Sequence, residues 1–167
     1  MKRKYYFCRS RLDKKDRYFI WFSDEEDGVF LDSKDNLLVF NDLKSLSDYF
    51  HKRNLLIENE PPVFYDLDKL EGNLKQENFE IDCIEVLNIW NFFEDVSRSA
   101  KDNFDSNRKA TKKIYEKIFW GNNLPVVTPE GKFYEPIWSK KEIQIIRDVL
   151  LDGLAIFRKI LNDTDRK

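Results

Sequence analysis

Histidine occurs once in this chain, methionine once, cysteine twice, and glycine and proline five times each. Each scarcity excludes something. One histidine and two distant cysteines cannot assemble a Cys/His zinc set at the usual ligand spacing. Cys8 and Cys83 form no C-x-x-C pair, so thiol redox chemistry has no support, and both are expected as reduced, partly buried thiols. The few glycines and prolines argue against a loop-dominated or low-complexity chain. No apolar run approaches the roughly 18–20 residues of a membrane-spanning helix. The basic start, Met1-Lys2-Arg3-Lys4, runs into Tyr5-Tyr6-Phe7-Cys8-Arg9, too short and too charged for a signal segment. The chain therefore reads as cytoplasmic. Phosphate-binding glycine loops and a G-x-S-x-G nucleophile elbow are also missing.

What is abundant is aromatic and charged. Aromatic residues make up 15 % of the 167 residues and charged ones 36 %. That supply of apolar side chains builds a core, and the length suits a single domain spanning 1–167. The charges are unevenly spread. From Asp24 to Asp95 there are 19 Asp/Glu against 6 Lys/Arg, a net of −13, while residues 1–23 carry +6 and residues 96–167 carry +5. An acidic face folded from the middle block would attract a basic protein and repel nucleic acid.

The pattern reads as strands first and helices later. Arg17–Phe22, Val29–Leu31 and Leu37–Phe40 are β-branched and aromatic, joined by turns at Asp24–Gly28 and Ser33–Asn36. They predict an antiparallel meander, to which Val63-Phe64-Tyr65 can add a fourth strand. Asn41 or Asp42 caps a helix with Leu43, Leu46, Tyr49 and Phe50 inward, and Asp66 caps a short one with Leu67, Leu70 and Leu74 inward. Asp82 with Glu85 resembles a capping box, followed by Val86, Leu87, Trp90 and Phe93 at helical spacing. A further helix covers about Lys109–Phe119, with Gly121 as a left-handed stop and Trp120 anchoring the core. Residues 124–134 form a small hairpin or a loop folded on itself, turning at Thr128–Gly131. Ser139 and Glu142 form a second capping box that opens a long C-terminal helix with Ile143, Ile146, Val149, Leu150, Leu154, Phe157 and Leu161 inward. The class this predicts is α+β: a small antiparallel sheet from an N-terminal meander, packed against several helices.

Candidate chemistry is sparse. His51 ends the first helix in His51-Lys52-Arg53, where a cation suits the helix dipole and no nucleophile or orienting acid stands nearby. Asp24-Glu25-Glu26-Asp27 lacks the alternate-position ligands of a calcium loop. Glu94 and Asp95 point about 100° apart on one helix and suit a helix-surface or partner-binding role rather than an acid/base dyad. No catalytic residue, metal or cofactor is expected. Lys2, Arg3, Lys4, Arg9 and Arg11 interleave with Tyr5, Tyr6 and Phe7, and Arg108-Lys109 and Lys112-Lys113 add a second basic cluster. Such mixtures can bind nucleic acid, the alternative reading, although the pI of about 5.6 lies far below that of a dedicated module.

Four segments carry a resemblance. They are Tyr18–Phe22 with its acidic turn and Gly28, Leu87–Asp95, Phe119–Pro125 and Pro136–Ser139. Together they resemble small bacterial immunity proteins found beside polymorphic toxins of the contact-dependent growth inhibition kind. The resemblance implies a non-enzymatic cytoplasmic protein that neutralises one cognate toxin domain, often a nuclease with a basic cleft. It carries over no contact residue. From charge and expected exposure alone, the partner-binding candidates are Asp24, Glu25, Glu26 and Asp27 at a turn, then Asp66, Asp68 and Glu71 on the short helix. The oligomeric state is left open.

Overall fold

The computed structural model describes residues 3–105 and 108–165. Lys2 of the basic N-terminal cluster lies outside the described residues. The class is α+β, with the long C-terminal helix in place. The chain runs β1 (Lys4–Leu12), β2 (Lys15–Ser23), β3 (Gly28–Val29), α1 (Leu43–His51), β4 (Val63–Asp66), α2 (Leu67–Leu74), α3 (Cys83–Ser99), α4 (Arg108–Gly121) and α5 (Lys140–Asp165).

The sheet order is β3-β2-β1-β4. β1 and β2 form an antiparallel hairpin whose tip, Asp13 and Lys14, has φ of 53° and 60°. Two successive positive φ values are what a two-residue hairpin turn needs to match strand twist. β4 adds to β1 in parallel, so the sheet is mixed. The expected meander is shorter than its sequence suggests. β3 has two residues, and Leu37 and Phe40 make only isolated bridges to Leu31 and Tyr18.

β1 was not among the expected strands. Its residues were read as a basic, aromatic arm, yet they form the strand between β2 and β4. The reason is that the sheet is covered on both faces there. Phe19 and Ile20 are consecutive and both buried, one in each of two cores. On one face α1 packs Leu46 and Phe50 against Ile20, with Tyr5, Phe7 and Tyr18 around them. On the other, Cys8, Leu12 and Phe19 meet α2, α3, α4 and α5. A strand buried on both faces loses the polar/apolar alternation that would advertise it.

The caps behave as their spacing predicts. Asp42 accepts from Ser45 N, Asp66 from Lys69 N, and Asp82 from Ile84 N and Glu85 N. The box at α5 closes in both directions: Glu142 N donates to Ser139 Oγ (3.2 Å) and Ser139 N to Glu142 Oε2 (2.8 Å).

Two expectations at the end of α4 are corrected. Trp120 is half exposed and packs on Phe119 rather than anchoring the core. Gly121 is the last helical residue and has no positive φ; Asn123 takes that conformation instead, at 51°. Gly121 matters for space, since a Cβ there would stand 2.6 Å from both Cys83 Sγ and Pro136 Cγ. Residues 122–139 form a loop folded on itself and not a hairpin.

Candidate acidic groove

The acidic turn is held by its own backbone and by α3. Asp24 N donates to Asp27 Oδ1, and Arg3 Nε donates to Asp24 Oδ2 (2.8 Å) while its guanidinium lies over the Phe22 ring. After the turn the chain presses on the end of α3. Val29 N donates to Ser99 Oγ (3.0 Å), and a Cβ at Gly28 would stand 2.7 Å from that oxygen. Only glycine permits this approach. Arg98 completes the clamp by donating to the Asp27 carbonyl and to Asp95 Oδ1 (2.6 Å).

This clamp sets Glu25, Glu26 and Asp27 beside Glu94 and Asp95, around a groove of about 490 Å³. Trp21 and Tyr65 contribute aromatic surface, and Tyr65 is stacked on the buried Phe92 at 4.1 Å between centroids. Asn88, Asn91, Asp95 and Arg98 recur every three or four residues, so one stripe of α3 forms a wall. Glu94 and Asp95 border the groove from this same wall and do not face each other across it.

Asp95 is the half-buried member. Trp21 Nε1 donates to its Oδ2 at 2.8 Å. Burial nevertheless pushes its carboxyl above the usual carboxylate range, against the bonds from Trp21 and Arg98, and the nearby Asp27 charge adds to the effect. Burial also raises the Tyr65 hydroxyl, helped by Cys8 and Asp95. Glu94 is held from outside the groove by Arg108, whose Nη1 and Nη2 both donate to it. Glu25 and Glu26 have no side-chain partner among the described residues. Five acids thus face one lining base, Arg98, over an apolar floor. Such a site suits a guanidinium or ammonium on an aliphatic stem, which aromatic rings and carboxylates bind together.

The second predicted trio lies elsewhere. Asp66 caps α2, and Asp68 accepts from Asp13 N and Lys14 N at 2.8 Å each, closing the hairpin tip. Glu71 meets Arg158 at 3.3 Å and Lys75 at 3.7 Å. The acidic turn is at the opposite end of β2, roughly 30 Å away at the rise of a nine-residue strand. The two acidic groups therefore do not share a patch.

The basic arms are occupied too. Arg9 and Arg11 both pair with Asp16 and lie over Phe64. Tyr5 packs on Phe30 and Phe50, and Tyr6 on Trp21. Lys112 pairs with Glu116. His51 Nδ1 donates to the Ser47 carbonyl (2.8 Å) at the end of α1. Cys8 and Cys83 are both free and buried, and burial drives the Cys8 thiol up to about 12. Among the described residues no three His, Cys, Asp or Glu side chains converge in a way that could hold a metal ion, and no helix is long and apolar enough to cross a membrane.

Sequence reasoning singled out the acidic turn and left Glu94-Asp95 with either a plain helix-surface or a partner-binding role. It missed Trp21, Tyr65, Asn88, Asn91 and Arg98. The polar stripe on an otherwise apolar α3 was the available signal. Comparison with family models, with known proteins and with solved structures finds no match for this chain.

Proposed function

We propose that this chain is a non-enzymatic, cytoplasmic immunity-type protein that binds and neutralises a basic toxin domain, an RNase-type nuclease first among the candidates. A cationic segment of the toxin enters the groove between the acidic turn and α3. The observation that carries this reading is the convergence of Glu25, Glu26, Asp27, Glu94 and Asp95 on one groove with an aromatic floor. The resemblance of four segments to immunity proteins is in keeping with it. Carboxylates there stand in for substrate phosphates, so association is fast at low salt and selective for positive charge. The nucleic-acid reading is less well supported, because Arg3, Arg9, Arg11 and Arg108 each pair with a carboxylate of this same chain.

The reading expects a toxin domain encoded immediately upstream, and the test uses that domain. Charge reversal of Glu25 and Glu26 to Lys is expected to weaken its binding about 10- to 100-fold, chiefly through the association rate, and to flatten the salt dependence. Unchanged affinity and salt dependence would show that the groove is not the docking site. Binding of RNA that weakens steeply with salt, in a gel-shift titration, would favour the alternative.

A further inference from the structure

We infer that the loop of residues 122–139, with Trp120 at its base, is a homodimer interface, and that its occupant is the same loop of a second copy of this chain. The loop exposes apolar side chains that nothing in the fold covers. Val126 is 95 % exposed, Ile137 89 % and Phe133 81 %, and Trp120, Leu124, Val127 and Tyr134 are each more than a third exposed. With aromatic side chains of roughly 150–250 Å² each and aliphatic ones somewhat smaller, the seven present on the order of 800 Å². That equals what each partner of a standard stable interface contributes, about 800 Å².

The loop is also built to hold its shape. The Asn123 side chain spans it, Nδ2 donating to the Tyr134 carbonyl (3.0 Å) while Oδ1 accepts from Tyr134 N (2.8 Å). Lys117 donates to the Ile137 carbonyl and to Glu142, and lies over Trp138. Three of the five prolines, Pro125, Pro129 and Pro136, fall inside it. Each removes freedom from the unbound chain, so little entropy remains to be lost on association.

Charge selects the occupant. Residues 122–139 hold only Glu130, Lys132 and Glu135. A strongly basic partner gains nothing from such a surface, and an anionic membrane finds no belt of lysines and arginines. Two copies meeting about a two-fold axis bring the same patch together from both sides, which a nearly uncharged patch tolerates and a patch of one sign of charge, such as the acidic groove, would not. The other exposed large apolar side chains among the described residues, Leu43, Leu56, Val63, Phe64, Ile84 and Leu151, lie outside this loop and are spread over α1, the segment after it, β4, α3 and α5.

Light scattering on the eluting peak, over a concentration series into the hundreds of micromolar, is expected to give twice the 20.2 kDa chain mass. The Val126→Asp/Phe133→Glu double variant should raise the dimer dissociation constant on the order of 100-fold. Both side chains are exposed, so its far-UV circular dichroism should stay as in the parent, and its melting temperature should match the parent's at concentrations where the parent is monomeric and lose the parent's rise with concentration. A single-chain mass at every concentration overturns the inference, whether or not the loop is then found to bind vesicles or the toxin domain. A double variant that still dimerises overturns it as well.

Discussion

Asp95 is an acid kept where ionisation is costly, and Trp21 is what makes the position tolerable. The indole N–H and the Arg98 guanidinium supply hydrogen bonds that burial denies from water. Trp21→Phe keeps a ring on the groove floor and removes that donor. It is expected to cost about 1.5–3 kcal/mol, the worth of a bond to a charged group. A urea titration would read this as a lower midpoint at unchanged slope; a shift worth under about 0.5 kcal/mol would mean the bond is idle. Neither partner could be paired from the sequence, because they are separated by the end of β2, by β3, α1, β4 and α2, and by most of α3. Asp82 and Ser139, by contrast, act on groups two or three residues away and were legible at once.

At the scale of elements, α3 and α5 lie close enough that Gly153 has no room for a side chain. A Cβ there would stand 2.1 Å from a ring carbon of Phe93, itself only 2 % exposed. Alanine is the better helix former by about 1 kcal/mol. The contact should win all the same: Gly153→Ala is expected to destabilise by about 1–3 kcal/mol through overpacking. A calorimetric melt that shows Gly153→Ala as stable as the parent, or more so, would mean that the helices part without cost. Helix periodicity revealed which face of α5 turns inward, yet not that this face must include a glycine. β1 escaped for a related reason. Arg9 and Arg11 look like exposed charge in a linear reading, and only the neighbouring strands supply the Asp16 and Phe64 that cover them.

Over the whole molecule, much of the acidic excess of the middle block is spent internally. Asp24 goes to Arg3, Asp35 to Lys101, Glu71 to Arg158, Glu94 to Arg108 and Asp95 to Arg98, all bases from outside that block. At the groove, Glu25, Glu26 and Asp27 stay free of an ion pair among the described residues. The same pairing makes stability depend on pH. Among the described residues, eight carboxylates, Asp13, Asp24 and Asp102 among them, have their pKa lowered by bonds to bases and backbone N–H groups. Glu142, bonded first by Lys117, falls to about 2. A lowered carboxylate stabilises the fold above its unfolded value, 3.8 for Asp and 4.5 for Glu, and that contribution is lost as pH drops through the folded value. Asp95 and Asp105, both raised by burial, act oppositely: they favour the fold at low pH and lose that contribution as pH rises through their folded values. Eight outweigh two, so the melting temperature is expected to fall steadily from about pH 4.5 downward. A profile flat from pH 6 to 3 would contradict this.

The sequence by itself determined the class, the helices and their caps, the acidic turn and the absence of metal-ligand spacing, because each depends on residues within a turn or two of one another. The tertiary structure alone decided which carboxylates stay unmatched. Arg158 reaches Asp13 across 145 residues and Lys101 reaches Asp35 across 66. Charge can be counted along a chain, but its cancellation depends on distance in space, and folding sets that distance.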